Sequence, residues 1–413
     1  MKKITLLCFS LLTVFSSYAQ KKDFSYSFYG FVRGDLFYNS RANVEGVNGT
    51  FFLYPMDIEE DANGEDLNAT PNSSFYTFTT RLGLDIQGPN LGKARTTAKI
   101  ETDFGGFGSS PTMLRIRQAY VALNWGKDQV LLGQTWHPLF GEVSPDILNL
   151  SSGAPFNPFN RSPMIRYQHQ FGQLRLTAAS IWQLQYMSSG PNGASAEYIK
   201  NSMVPEIYVG LDWKTDNGWQ AGINANLVSI KPYSRDYAYN PVTQVSSVYK
   251  IDGRMTALTY SAYIKYAEQN FSFAAKSFLA SGIDNSSVLG GYGMSKMETA
   301  QGEYEYSPFR HSLSWANLTV GSTWKGGLFL GYAKNLGTSD ELVSSRVYGK
   351  ALNIDQLYSI NPNFSYNKGN WKIGIEYCLR TAYYGTIDLN DGKVRDTHSV
   401  TNHRILGLLI YHF

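Results

Sequence analysis

Residues 92–104 read GKARTTAKIETDF, and the reading of this stretch decides the fold. Ala94, Thr96, Ala98, Ile100, Thr102 and Phe104 alternate with Lys93, Arg95, Thr97, Lys99, Glu101 and Asp103. A period of two is that of a β-strand, whose successive side chains point to opposite faces. One face here is apolar and the other is charged. In a soluble sandwich the charged face would meet water and the apolar face would line a core. In a membrane barrel the apolar face meets lipid and the charged face lines a wet lumen.

Working outward, the same alternation recurs in sixteen segments. They lie near 24–40, 74–87, 93–104, 113–125, 129–134, 161–170, 174–187, 204–214, 219–231, 253–267, 271–281, 310–323, 328–335, 356–367, 371–383 and 401–413. Short turns alternate with long connections at 41–73, 105–112, 135–160, 188–203, 232–252, 282–309, 336–355 and 384–400. A sandwich has no reason to segregate loop lengths in this way. The pattern predicts an all-β chain: a 16-stranded antiparallel transmembrane β-barrel with short periplasmic turns and long extracellular loops. Lipid also demands closure, because no water reaches an open sheet edge there. Near Gln118 the apolar parity switches, which predicts a bulge or a displaced strand boundary.

Composition agrees. The chain has 413 residues, with 36 Lys+Arg against 33 Asp+Glu and as many as 29 Tyr and 23 Phe. So many aromatics exclude disorder, and nearly cancelling charge without a basic block excludes a nucleic-acid partner. Two Cys exclude a disulfide scaffold. No apolar run is long enough for a membrane helix. The opening MKKITLLCFSLLTVFSSYAQ has the basic, apolar and small-residue order of a secretory leader, with cleavage expected after Ala19. Residues 20–413 then form one barrel, in which Cys378 is the remaining cysteine. The chain ends ILGLLIYHF, with Phe413 on the apolar parity, which looks like the insertion signal read by the barrel assembly machinery. Trp125, Trp213, Trp219, Trp324 and Trp371 sit near strand ends, as an interfacial girdle would. The expected surroundings are outer-membrane lipid and lipopolysaccharide.

Parity assigns the lumen. Arg33, Asp35, Arg81, Lys99, Glu101, Asp103, Arg115, Arg117, Arg166 and Arg380 fall on the polar face. A charge facing lipid at mid-depth costs about 2–4 kcal/mol, so these belong inside. The segment 135–160 holds Pro138, Pro145, Pro155 and Pro158 with Trp136, Phe140, Phe156 and Phe159. An exposed loop would be more polar; an inward constriction suits this composition, with an external lid or a trimer contact as the alternative. Folded in, Trp136, His137, Glu142, Asp146 and Arg161 would face Arg33, Arg81, Arg115 and Arg117 across an eyelet.

YGFVRGDLFYNSR (29–41), RLGLDIQGPNLGKARTTAKIETDFGG (81–106), LRIRQAYVALNW (114–125) and LLGQTW (131–136) resemble the DcaP-like trimeric outer-membrane porins. The likeness is greatest to the branch found in Bacteroidetes-type bacteria, and its clear motifs cover about the first 140 residues. The resemblance implies a homotrimer of sixteen-stranded barrels with an inward loop, and a preference for small anionic solutes, dicarboxylates among them. It carries over only to Arg115, Arg117 and Gln134–Trp136. The acids Glu101 and Asp103 depart from a purely anionic reading.

Other chemistry finds little support. Six His are scattered without metal-ligand spacing, and no cofactor motif is present. No G-x-S-x-G elbow marks a hydrolase. The acidic run 57–66 only partly matches an EF-hand loop. The expected function is passive diffusion of small hydrophilic solutes. The alternative is a receptor, adhesion or structural barrel with a plugged lumen.

Overall fold

A computed structural model of the chain describes residues 24–106, 112–240 and 243–413. The expected leader, residues 1–19, lies outside them. The described chain closes into a barrel of 16 antiparallel staves. In chain order these are β1 (Ser25–Asn39), β2 (Asn72–Tyr76, continuing as Arg81–Gln87), β3 (Arg95–Asp103), β4 (Arg115–Asn124) and β5 (Asp128–Trp136). Then come β6 (Arg161–Phe171), β7 (Leu174–Ile181), β8 (Glu206–Lys214), β9 (Trp219–Ile230), β10 (Met255–Glu268) and β11 (Phe271–Ser281). The last five are β12 (Glu303–Gly321), β13 (Trp324–Gly337), β14 (Ile354–Lys368), β15 (Trp371–Ile387) and β16 (Val394–His412).

Each stave pairs with its sequence neighbours, and β1 closes the ring on β16 from Phe31↔His412 to Asn39↔Arg404. Phe413 finishes the seam: its N–H donates to the Gly30 carbonyl at 3.1 Å and its carbonyl accepts from Gly30 N–H at 3.2 Å. Gly30 leaves room for this, since a Cβ there would stand 2.8 Å from the Phe413 ring. The bulge expected near Gln118 is present. Glu101 pairs with Gln118 and Thr102 with Ile116, so Arg117 is the extra residue.

Alternation sorts the two faces as expected. Outward residues such as Leu82, Ile100, Ile223, Ile264, Ile375 and Leu409 are exposed, while Glu101, Asp103, Asn226, Lys276 and Glu376 are buried inside. The five girdle tryptophans are exposed at the short-turn ends. The last long connection shrinks: β15 and β16 continue as a hairpin beyond the barrel, leaving only 388–393 between them.

Several connections fold inward. The segment 137–160 lies inside the barrel, bonded to wall residues of β11, β12 and β15. The first connection also enters, through a hairpin of Asn43–Gly46 and Phe51–Pro55, and the run Phe51-Phe52-Leu53-Tyr54 is buried. The barrel's core is therefore inside it. Leu139, Val143, Ile147, Phe156 and Phe159 pack with Ile181, Val228, Phe278, Trp315 and Phe329 of the wall. Near the long-loop end Tyr198, Ile199, Ile283, Leu289 and Tyr292 continue the same cluster. Two wall glycines make this fit: a Cβ on Gly331 would stand 2.5 Å from Phe156, and one on Gly374 2.6 Å from Leu148.

The facing is testable. Ile223→Lys puts a charge on the apolar belt and is expected to lower unfolding free energy by about 2–4 kcal/mol. Gln220→Lys, on the opposite parity of β9, is expected to cost much less. Urea unfolding in lipid vesicles checks the pair.

Candidate functional site: a divided lumen

The inward segment is irregular, so its backbone groups have no ladder to satisfy them. In the lumen the wall supplies partners instead. Lys276 of β11 donates to the carbonyls of Leu139 and Phe140 at 2.7 and 3.1 Å. Asn317 of β12 accepts from Asp146 N–H at 2.8 Å, and Glu376 of β15 accepts from Leu148 N–H at 2.8 Å. Arg33 of β1 donates to the Leu148 carbonyl at 3.3 Å. Lys325 of β13 forms an ion pair with the Asp146 side chain. The segment is thus pinned from β1, β11, β12, β13 and β15, and divides the lumen.

Arg380 is the strongest pin. It is fully buried and stacks against Phe52 and Phe156. It donates to the carbonyls of Phe52, Leu53, Ser152 and Ala154 at 2.5–3.0 Å. Arg380 therefore ties both inward loops to β15 and does not face open lumen, a correction to its place among the pore-lining residues. Arg404 plays a similar part from β16. It donates to the Gly49 carbonyl at 2.8 Å and stacks on Phe37.

On one side of the divider lies the arginine-rich wall of β1–β4. A cavity of about 50 Å³ there is bordered by Arg33, Arg81, Asp103, Arg115, Arg117 and Phe159, among others. Carboxylates answer most of these cations. Asp35 takes Arg33 at 2.7 Å, with Thr79 Oγ1 donating to it at 2.8 Å. Asp103 takes Arg115 through two bonds, 2.9 and 2.7 Å, and Arg117 at 2.7 Å. Glu101 takes Arg117 at 2.9 Å. Arg115 and Arg117, two residues apart on β4, meet Asp103 and Glu101, two residues apart on β3, across this ladder.

Two arginines are left in excess. Arg81 lies 3.8 Å from Glu101 over the Phe31 ring, with 26% of its side chain exposed. Arg161 is fully buried, 4.7 Å from the Trp136 ring and 5.3 Å from Phe159, and donates to Tyr186 Oη at 3.0 Å. Its Nε and Nη1 have no hydrogen-bond partner, and it makes no ion pair among the described residues. Five guanidiniums thus meet three carboxylates, and this side is net positive. Lys99 sits nearer the short-turn end, bound to Asp85 at 3.0 Å and to Tyr29 Oη at 3.1 Å.

On the other side, β6–β11 enclose a larger cavity of about 200 Å³ with both signs of charge. Here the sequence expectation needs correcting. Of the loop residues expected to face the β1–β4 arginines, Trp136 and Arg161 do, with Arg117 5.8 Å from the Trp136 ring. His137, Glu142 and Asp146 turn elsewhere. His137 is buried against Glu206 at 3.3 Å, Glu142 binds Arg175 at 2.5 Å, and Asp146 binds Lys325. The loop crosses the lumen, so its successive acids meet different staves. Arg166 lines this second cavity, with Gln129 at 3.4 Å. Arg175, Asp212, Lys276 and Arg404 carry the geometry as well.

The acidic run folds on itself. Asp61 accepts from the N–H groups of Asn63 and Glu65 at 2.7 and 2.9 Å, and these backbone bonds, that of Glu65 first, hold its carboxyl below the usual range. Asp66 pairs with Arg41 at 3.1 Å. Among the described residues no group of three potential metal ligands assembles.

The pinning predicts a consequence. Arg380→Met removes a buried donor from four carbonyls and is expected to lower barrel stability by about 2–3 kcal/mol. It should also loosen both inward loops, read as greater protease sensitivity of the folded barrel at 137–160.

No family model matches the chain, and no curated protein does. Solved structures do. The outer membrane channel DcaP of Acinetobacter baumannii superposes with a TM-score of 0.65 at 18% identity, covering 96% of this chain and 99% of that one. The trimer form of OmpT from Vibrio cholerae gives 0.54 at 9% identity, over 95% and 100%. The anion-selective porin from Comamonas acidovorans gives 0.52 at 10% identity, over 95% and 100%. These likenesses show the fold, and with the apolar outer belt that fold makes the chain an integral outer-membrane β-barrel of porin architecture.

Proposed function

We propose that the protein is a porin through which small hydrophilic solutes diffuse passively, with anions favoured. One observation carries this reading: within a membrane-spanning barrel, the gaps on both sides of the inward loop are walled by charged side chains, net positive beside β1–β4. A channel needs polar walls and a charge ring to filter by sign. Arg81, accessible and weakly paired, is the foremost filter residue, with Arg161 behind it. Arg suits planar contact with a carboxylate. The names of the structural neighbours, a channel and an anion-selective porin, support the reading. A homotrimer, removal of residues 1–19, and recognition of Phe413 by the assembly machinery belong to the same proposal, as does affinity with the DcaP-like porins.

A second reading has its own observation. The buried apolar cluster that Tyr198, Leu289 and Tyr292 share with Phe156 and Phe159 of the inward loop favours a plugged barrel.

The reversal potential in a planar bilayer under a KCl gradient decides between them. Anion-selective current supports the porin, and a water-tight barrel supports the plug. Arg81→Gln is expected to move the reversal potential toward zero. Arg115→Gln, which breaks a buried pair with Asp103, is expected to show mainly as about 3–5 kcal/mol of lost stability.

A further inference from the structure

The larger cavity holds an arrangement that anion filtering does not require. Arg175 of β7 lies between two carboxylates. Its Nη1 meets Glu142 of the inward loop at 2.5 Å, and its Nη2 meets Asp212 of β8 at 3.1 Å. Tyr263 Oη donates to the other oxygen of Asp212 at 2.5 Å. Glu142 is more than half exposed, while Arg175 and Asp212 are largely covered. The Nε atoms of Arg175 and of neighbouring Arg166 are buried without a hydrogen-bond partner. The cavity bordered by these groups measures about 200 Å³, the liquid volume of roughly six or seven waters at ~30 Å³ each.

From this we infer that the β6–β11 chamber is a binding site for small zwitterions that carry one carboxylate and one ammonium, α-amino acids being the simplest. The inference rests on the channel reading and names a solute class for this side of the divider. The argument is one of exchange. Glu142 already occupies the guanidinium edge where a solute carboxylate would bind. A plain carboxylate that displaces it leaves the Glu142 carboxylate unpaired in a half-covered site. A plain cation drawn to Glu142 or Asp212 strands Arg175 in the same way. A zwitterion does both exchanges at once: its carboxylate takes Arg175, and its ammonium takes the released Glu142 or Asp212. Neither Arg175 nor the carboxylate it releases is left unpaired, and the vacant Nε donors of Arg166 and Arg175 face the bound carboxylate. Charge-assisted contacts of this kind are the strong ones, and leaving one partner unpaired is what costs most.

Three probes of nearly equal shape test this on the full-length barrel: alanine, sodium lactate and isopropylammonium chloride, each added against a fixed KCl current in single-channel recordings. Alanine is expected to halve the current at about tenfold lower concentration than either singly charged probe. Glu142→Gln removes the released carboxylate and is expected to abolish that advantage or give it to lactate; Asp212→Asn is expected to narrow it. The KCl current of each variant before any probe is added reports that the barrel has folded and inserted. If lactate blocks as well as alanine in the unaltered protein, or if Glu142→Gln leaves the ratio unchanged, the inference falls. A KCl current that alanine does not reduce overturns the inference alone, whereas no current at all overturns the channel reading with it.

Discussion

An irregular loop at membrane depth must find partners for its backbone inside the protein, and the rest of this structure depends on how that is done. Lipid offers no hydrogen bonds, so non-helical backbone survives there only when buried in protein or beside a wet cavity. The wall meets the demand with charged and amide side chains whose targets are main-chain groups. Lys276, Asn317, Glu376 and Arg380 each bond a carbonyl or N–H of the segment 137–160. Several polar residues that alternate along the staves are therefore struts. Their polarity is required even where no solute reaches them, because a buried main-chain group left unmet costs about 1–3 kcal/mol.

The two sides of the divider follow from the same crossing. On the β1–β4 side the cations and anions are both on the wall, in adjacent staves at matching height. Arg115 and Arg117 find Asp103 and Glu101 across the β3–β4 ladder, and this grid holds its shape without the loop. On the β6–β11 side the loop supplies part of the contacts, Glu142 for Arg175 and the carbonyls of Leu139 and Phe140 for Lys276, while Asp212 holds Arg175 from the wall. The first wall is a fixed field. The second is completed by the seated loop, and a solute that displaces Glu142 from Arg175 competes with the loop itself.

Much of this was legible in the sequence, for a definite reason. Period-two alternation reports which way each side chain points, so the staves, their faces and even the bulge near Gln118 follow from parity. Loop lengths report which end is which. The composition of 135–160, rich in Pro and aromatics, reports that it is buried. Parity is silent on partners, however. It placed Arg380 and Arg81 alike in the lumen, yet one is locked to four carbonyls and the other is open. The inward reading of 135–160 likewise groups His137, Glu142 and Asp146 with Trp136, although they meet staves far apart in sequence. The inward turn of the first connection was missed, and its signal was present: Phe51-Phe52-Leu53-Tyr54 is too apolar for an exposed loop. Arg404, which binds that hairpin, lies on the same polar parity as Asn402 and was passed over.

The distribution of charge then constrains selectivity in a way that a count of arginines does not. A guanidinium held by two carboxylate bonds contributes little net field at a distance, since the pair is nearly a dipole; its removal exposes the acid it neutralised. An arginine without such a partner contributes a full charge. In the β1–β4 wall the paired set, Arg33, Arg115 and Arg117, gives shape, and the excess set, Arg81 and Arg161, gives sign. Only Arg81 has much of its side chain exposed. Arg161, sealed among Trp136, Phe159 and Tyr186, acts through the low-dielectric aromatic wall, where a charge is screened less than in water. The proposed preference for anions thus rests on a small imbalance within a nearly neutral grid, and substitutions at the acids, Asp35, Glu101 and Asp103, should tune it as strongly as substitutions at the arginines.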